Sequence, residues 1–304
     1  MLNIALDANN IYASNFLAVT NGAPCSDAPR IAAFSRATGA ESTVVACGAA
    51  AGAGDDVYRM VLANGTLYWN PSAGDPNAAL LELFRVPTQG GVPTALGVES
   101  DGEEFAVDAT SVYYSNSNGG VARANLDGSG AVPISSLFAR VIAVDDANVY
   151  LGVVPCPDDG CSTPPSIYAL PKAGGPQSTL VDETPGVDQM IARDAYLYWT
   201  VLGSKTKIFR VSTQGGPVET LVDENTGESV VALSADSTYL YGVTSGTGNP
   251  LMHRVLRVPL AGGTPTVLAT EPGIGTALAV DDTAIVWSAK VAGVPNSGVL
   301  YTLA

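Results

Sequence analysis

One phrase of about ten residues recurs seven times in this chain, and the recurrence limits the fold more than any other feature. It reads IALDANNIYA (4–13), MVLANGTLYW (60–69), FAVDATSVYY (105–114), IAVDDANVYL (142–151), MIARDAYLYW (190–199), VALSADSTYLYG (231–242) and LAVDDTAIVW (278–287), at spacings of 37 to 56 residues. A second phrase follows five of the copies: LFRVPTQGGVPTALGVE (83–99), VARANLDGSGAVPIS (121–135), IYALPKAGGPQSTLV (167–181), IFRVSTQGGPVETLVDE (208–224) and VLRVPLAGGTPTVLA (255–269). A period of about 43 residues is where propellers and some helical arrays lie.

The residues inside the repeat decide between those two. Short runs rich in Val, Ile, Tyr, Phe and Thr alternate with turn chemistry such as Asp-Ala-Asn and Thr-Gln-Gly-Gly. That pattern gives four strands per unit. No apolar spacing of a helix lasts three turns, and 33 Gly and 20 Pro punctuate too often for helical repeats. A four-stranded unit has two apolar faces that it cannot bury alone. Seven units around an axis bury each sheet against the next. The expected fold is therefore all-β, a seven-bladed β-propeller with four antiparallel strands per blade, here called A to D from the axis outward. It forms a single domain over 1–304, with blades at about 1–54, 55–99, 100–137, 138–184, 185–226, 227–273 and 274–304.

Each phrase has a local task. The apolar start of the first phrase is strand A, and Asp108, Asp145 and Asp281 follow it at the A–B turn. An Asp there accepts from backbone N–H groups two residues on and fixes the turn. Gly-Gly pairs at 90–91, 174–175, 215–216 and 262–263 supply positive φ for the C–D hairpin. Asn64 opens an NGT sequon, and its position at a tight A–B turn reads as turn chemistry. The last blade offers only A (Leu278–Val280), B (Ile285–Ser288) and C (Val299–Leu303), while the first begins at A (Leu2–Leu6). Blade seven is thus expected to have three strands, with 27 strands in all and 299–303 as an open edge, available to a homodimer.

A charge of −15 argues against nucleic acid and anionic membrane surfaces as partners. No run of 18 apolar residues exists to span a membrane as a helix. The four cysteines stand in loops: Cys25 and Cys47 flank the outer half of the first blade, and Cys156 and Cys161 bracket PDDG. Two disulfides, Cys25–Cys47 and Cys156–Cys161, are expected, which implies an oxidising compartment. The expected setting is then secreted or periplasmic, a lipid-anchored precursor being one route, with the targeting segment outside this sequence. Zinc is disfavoured, since CxxC spacing is absent and only one His occurs.

The units of the IAVDATSVYY type with FRVPTQGG hairpins resemble secreted bacterial β-propeller repeat proteins, in the style of the YWTD, NHL and TolB-like groups. The resemblance covers essentially the whole chain and implies architecture, not activity. YWT stands at 198–200, but YWN, YYS and VWS replace it at 68–70, 113–115 and 286–288, so no functional residue is carried over.

Loop length is asymmetric. A–B and C–D turns are uniformly short, whereas B–C connections range from SNSNGG to SNFLAVTNGAPCSDAPR. Insertions on one face mark the binding face of a repeat protein. At the channel mouth on that face the D–A crossings place Tyr58, Arg59, Glu103, Glu104, Arg140, Asp188, Gln189, Glu228, Ser229 and Thr276. This polar ring suits a small polar ligand, and Ca2+ in the channel is the one ion it would favour. His253 starts a C strand near the same face and is the lone candidate general base. No GxSxG, HExxH, P-loop or Rossmann pattern occurs. No catalytic residue and no organic cofactor is therefore expected. The leading expectation is an extracytoplasmic binding or scaffold module that engages a protein, glycan or small polar ligand through this face. The alternative is a propeller lyase or metal-assisted hydrolase using the mouth carboxylates, and the third reading is a lectin using the strand-B aromatics.

Overall fold

The computed structural model describes residues 3–14, 31–46, 57–71, 82–116, 119–153, 165–184, 186–201, 203, 205–291 and 298–303, with the side chains of 99 and 101–103 excepted. The four cysteines lie outside the described residues.

The strands fall into the seven expected blades. Blade 1 holds β1 (Ile4–Leu6), β2 (Asn10–Ser14), β3 (Ile31–Ser35) and β4 (Glu41–Val45). Blade 2 holds β5 (Val57–Ala63), β6 (Thr66–Pro71), β7 (Glu82–Pro87) and the first half of β8 (Thr94–Val107). The second half of β8 opens blade 3, followed by β9 (Ser111–Asn116), β10 (Gly120–Asn125) and β11 (Val132–Ser135). Blade 4 is β12 (Val141–Val144), β13 (Asn148–Val153), β14 (Ser166–Pro171) and β15 (Ser178–Val181). Blade 5 is β16 (Met190–Arg193), β17 (Tyr196–Thr200), β18 (Thr206–Ser212) and β19 (Glu219–Glu224). Blade 6 is β20 (Val230–Ala235), β21 (Tyr239–Thr244), β22 (Met252–Pro259) and β23 (Thr266–Pro272). Blade 7 is β24 (Ile274–Asp281), β25 (Ala284–Lys290) and β26 (Val299–Leu303). Every sheet runs in chain order with antiparallel neighbours, and the last has three strands.

Twenty-six strands are described, and β8 serves two blades, which gives the expected twenty-seven. The expected 99/100 blade boundary falls inside β8, because there the chain passes from D to A without leaving extended geometry. Strands A and B of the last blade are longer than the sequence pattern suggested, and β1 is described from Ile4. The added residues of β24 include a register shift at Gly275/Ala277, which apolar alternation alone does not reveal.

The turns behave as their residues dictate. Asp7, Asp108, Asp145, Asp236 and Asp281 each accept from the backbone N–H groups two and three residues on, at 2.6–3.0 Å. In four of them the second oxygen accepts from a strand-B tyrosine: Tyr12, Tyr113, Tyr150 and Tyr241 at 2.6–3.0 Å. Burial alone would raise the pKa of Asp108, but bonds from Lys172, two backbone amides and Tyr113 outweigh it and hold the carboxyl at about 2. Burial and the Asp108 bond push Tyr113 up to about 12. The Gly-Gly pairs have φ of 86° and 137° at Gly90–Gly91 and of 90° and 141° at Gly262–Gly263, the region only glycine enters cheaply.

The second phrase is more than turn chemistry, because its side chains also cross to neighbouring blades. Arg85 donates to the Leu126 carbonyl at 3.2 Å, and Arg210, the matching residue of blade 5, donates to the Leu260 carbonyl. Lys172 reaches back from blade 4 to Asp108 of blade 3 at 2.5 Å.

The core lies between blades. Six apolar clusters among the described residues each join two consecutive blades, from 1–2 through 6–7. The 7–1 seam has no such cluster among them. There Arg36 of blade 1 pairs with Asp281 of blade 7 and bonds the Asp7 carbonyl at 2.8 Å. The Arg36 bond, aided by Thr283 contacts, holds the Asp281 carboxyl far below its ordinary range despite burial. Arg36→Ala should therefore loosen ring closure and cost about 2 kcal/mol, the scale of a hydrogen bond to a charge. The loss should shrink in acid as Asp281 protonates, because a depressed carboxyl stabilises only above its folded pKa. Urea unfolding at neutral pH checks it, and a midpoint equal to that of the unaltered chain would show that face packing alone closes the ring.

Candidate functional site

The segments expected at the channel mouth, where strand A begins, are held by a device that recurs in strand B. Six of the seven B strands carry, at or near their end, a small polar residue that is essentially fully buried: Ser14, Asn70, Ser115, Thr200, Thr244 and Ser288, whereas β13 of blade 4 has Gly152 and Val153 there. Ser14 Oγ accepts from the Asn3 amide at 2.9 Å, Asn70 Oδ1 from the Arg59 amide at 3.1 Å, and Thr200 Oγ1 from the Gln189 amide at 3.2 Å. Ser288 and Thr276 share a hydroxyl contact of 2.8 Å, and Ser115 Oγ donates to the Ala139 carbonyl at 2.8 Å. These bonds satisfy backbone or hydroxyl groups where strand A begins, and so fix the chain that carries the mouth residues. The signal was visible as the third letter of YWN, YYS, YWT and VWS, yet a lone Ser, Asn or Thr at a strand end does not announce what it bonds.

The sequence-predicted residues separate by what they touch. Arg59 and Glu104 pair at 2.8 Å, and Glu104 is only 8% exposed. Glu228, 3% exposed, accepts from Arg254 Nε at 2.9 Å, while the same guanidinium reaches Glu224 at 3.0 Å and Thr226 at 3.4 Å. Arg254, in strand C, is absent from the sequence-predicted set, since nothing in its local sequence marks which carboxylate it meets. Ser229 bonds Ser245, and Tyr58 stands 40% exposed with its carbonyl taken by Asn3. The side chain of Glu103 lies outside the described residues.

Arg140 and Asp188 differ from the other charges. They sit at the starts of blades 4 and 5, with backbones anchored by Arg140 N to the Gly152 carbonyl at 2.9 Å and Asp188 N to the Thr200 carbonyl at 3.0 Å. Gln189 donates to the Asp188 carbonyl at 3.0 Å. Both side chains are half-buried, and among the described residues neither is bonded to a partner. Burial pushes the Asp188 carboxyl above its ordinary value, and the nearby Arg140 charge only partly offsets this. A half-buried acid and base that feel each other's charge can clasp a ligand with complementary charges or donors.

His253 is fully buried in the 6–7 seam, where Nε2 accepts from the Trp287 indole N–H at 3.1 Å. Trp287 stacks on Tyr301 at 5.2 Å and 9°, and Tyr301 stands edge-on to His253 at 5.9 Å. The imidazole is a structural acceptor, which a buried seam position favours over a base that substrate must reach. The strand-B aromatics Tyr68, Trp69, Tyr113, Tyr114, Tyr198, Trp199 and Trp287 are at most 4% exposed, so they pack blades and offer no face to a sugar. Among the described residues no three His, Cys, Asp or Glu side chains stand close enough to hold a metal ion.

No protein-family model matches this chain, and no curated protein matches it in sequence. Solved structures do resemble it. A GH74 enzyme of Niastella koreensis shares 10% identity at a TM-score of 0.70, with 99% of this chain and 51% of that one covered. An oligogalacturonate lyase in complex with manganese shares 12% identity at a TM-score of 0.56, over 79% of this chain and 71% of that one. The computationally designed Ika8 protein shares 10% identity at a TM-score of 0.57, over 99% and 95%. This chain therefore spans about half the length of the GH74 enzyme. Likeness at such identity establishes the propeller fold, a fold that carries enzymes and a designed protein alike.

Proposed function

We propose that this chain is an extracytoplasmic propeller that binds a small polar ligand at the channel mouth, between Arg140 and Asp188. One observation carries the reading: Arg59 is held by Glu104 and Glu228 by Arg254, whereas among the described residues the Arg140 and Asp188 side chains make no ion pair or hydrogen bond, and Asp188 feels only the charge of Arg140. The extracytoplasmic setting rests on the four loop cysteines, and their two pairings are part of the proposal. The lyase or hydrolase alternative drew on the mouth carboxylates as a set, and two of that set are held by arginines.

A thermal-shift screen with amino acids, hexosamines, uronic acids and Ca2+ tests it, since a ligand that binds only the folded state raises the melting temperature by mass action. A hit should bind at least about tenfold more weakly to Arg140→Ala and to Asp188→Asn, a loss of about 1.4 kcal/mol. Unchanged affinity in both variants would remove the site.

A further inference from the structure

Blade 4 breaks the repeat at one position. Its strand-B phrase VYLG (149–152) aligns with IYAS (11–14), LYWN (67–70), VYYS (112–115), LYWT (197–200) and IVWS (285–288). Gly152 therefore stands where five blades place Ser, Asn or Thr. No positive φ calls for glycine there. Space does: a Cβ on Gly152 would lie 3.1 Å from both Cβ and Cγ1 of Val187 and 3.4 Å from its Cγ2. Val187 is fully buried on the crossing into blade 5, directly before Asp188. The 6–7 seam inverts the arrangement. There Val243 stands two residues after Tyr241, as Gly152 stands two after Tyr150, and the glycine is on the crossing. A Cβ on Gly275 would run into Val243 and the Thr244 carbonyl. In each seam a missing side chain on one blade admits a valine from the other, and close packing leaves no room for both.

We propose that Gly152 is a positioning residue of the mouth: its missing side chain lets Val187 seat on blade 4 and so holds Asp188 beside Arg140. The inference rests on the Arg140–Asp188 site proposed above. Both charges are tied to the contact. Arg140 N donates to the Gly152 carbonyl at 2.9 Å, and Asp188 follows Val187 in the chain. The two charges also hold the same repeat position, since Asp188 N donates to the Thr200 carbonyl as Arg140 N does to that of Gly152. Seating one blade closely on the next thus sets opposite charges side by side. The crossing has a second tie to blade 4, where Thr184 N donates to the Pro165 carbonyl at 2.8 Å. Between the ties the chain bends at Gly186, with φ of 116°, and the Thr184 hydroxyl donates to the Gly186 carbonyl at 3.3 Å. A segment held at both ends cannot absorb a displacement, so a side chain at 152 moves Val187 and the acid that follows it. The Arg140 charge reaches Asp188 and opposes the effect of burial on its carboxyl, which makes the spacing measurable.

The test reads that spacing without a ligand. The Asp188 carboxyl carbon, identified as the NMR signal that Asp188→Asn removes, is titrated with and without Arg140→Gln. Losing the arginine should raise the Asp188 pKa, because an attracting charge is gone, and the size of the rise measures the coupling. With Gly152→Ala present the rise should be smaller. With Gly152→Thr, the residue of the next blade, it should fall to about half or less, since distance and entering water both weaken the Coulomb attraction. Gly152→Ala combined with Val187→Ala, one carbon short of the native pair, should restore it. Gly152→Ala carries the comparison by itself if Gly152→Thr does not fold. An undiminished rise in the Gly152 variants would overturn the inference and leave the ligand site standing. A diminished rise that Val187→Ala does not restore would overturn it as well, by tracing the loss to general disruption of the blade. No rise with Arg140→Gln in the unaltered background would remove both the inference and the site. A restored coupling beside an empty ligand screen would support the positioning role and count against the ligand reading alone.

Discussion

Glu228→Ala should lower the unfolding free energy by about 3 kcal/mol, the low end of what breaking a buried ion pair costs. Glu228 is 3% exposed and takes the Nε of Arg254 at 2.9 Å. Arg254 lies in strand C of blade 6, and the partner it reaches sits on the crossing that leads into strand A of the same blade. Removing the carboxylate leaves a guanidinium in a wall that admits little water. Arg254 keeps Glu224 at 3.0 Å and so is not wholly orphaned, which is why the low end applies. Glu228→Gln retains an acceptor and should cost about half as much. In a chain of this size the Ala variant should melt roughly 5 °C or more below the unaltered protein. Near-ultraviolet circular dichroism of the buried tryptophans reads this directly, and a shift below about 1 °C would show that the pair is incidental.

Mild acid should open the seam between blades 6 and 7. His253 is the only histidine, and it is held in the neutral form because its Nε2 must accept from the Trp287 indole, which can only donate. Burial lowers its pKa from the ordinary 6.5, and the Gly273 carbonyl with Glu271 and Glu228 only partly opposes this. The unfolded chain therefore binds the proton more readily. Stability is full above about pH 6.5 and declines as pH falls toward the folded value, by at most about 1.4 kcal/mol per pH unit. Asp188, whose pKa is raised by burial, works in the opposite sense, so the comparison needs a matched variant. His253→Gln keeps an acceptor for the indole and cannot titrate. It should flatten the decline between pH 5 and 6.5 while leaving Asp188 in place. Parallel pH profiles in the two proteins would contradict the role given to His253. Trp69 and Trp199 offer an internal comparison, since their indole N–H groups find no acceptor among the described residues.

The fold was legible in the sequence because repetition amplifies weak signals. Any single IAVD-x-x-x-VYY segment is ambiguous, but seven at similar spacing leave one way to bury two-faced sheets. The open third strand of blade 7 was legible for the same reason, as a missing member of a counted series. The site was readable in the sequence only as an expected location. Sequence placed Arg59, Glu104, Arg140, Asp188 and Glu228 near one rim, but the pairing of Arg59 with Glu104 joins residues 45 apart, and that of Arg254 with Glu228 joins residues 26 apart. No local pattern encodes which charges are matched, since matching depends on how side chains of adjacent strands and blades converge. His253 shows the same limit, for its partner is Trp287 in the next blade.

The division of the mouth into matched and open charges is tested most directly by measuring stability and ligand binding on the same four variants. Glu104→Gln and Glu228→Gln should lower the melting temperature and leave the affinity for the screened ligand within about twofold. Arg140→Ala and Asp188→Asn should leave the melting temperature within about 1 °C and weaken that affinity by about tenfold or more, since 1.4 kcal/mol corresponds to a factor of ten. If the open pair instead proves the more destabilising, or if the matched pairs prove to carry the binding, the assignment of the mouth charges is wrong.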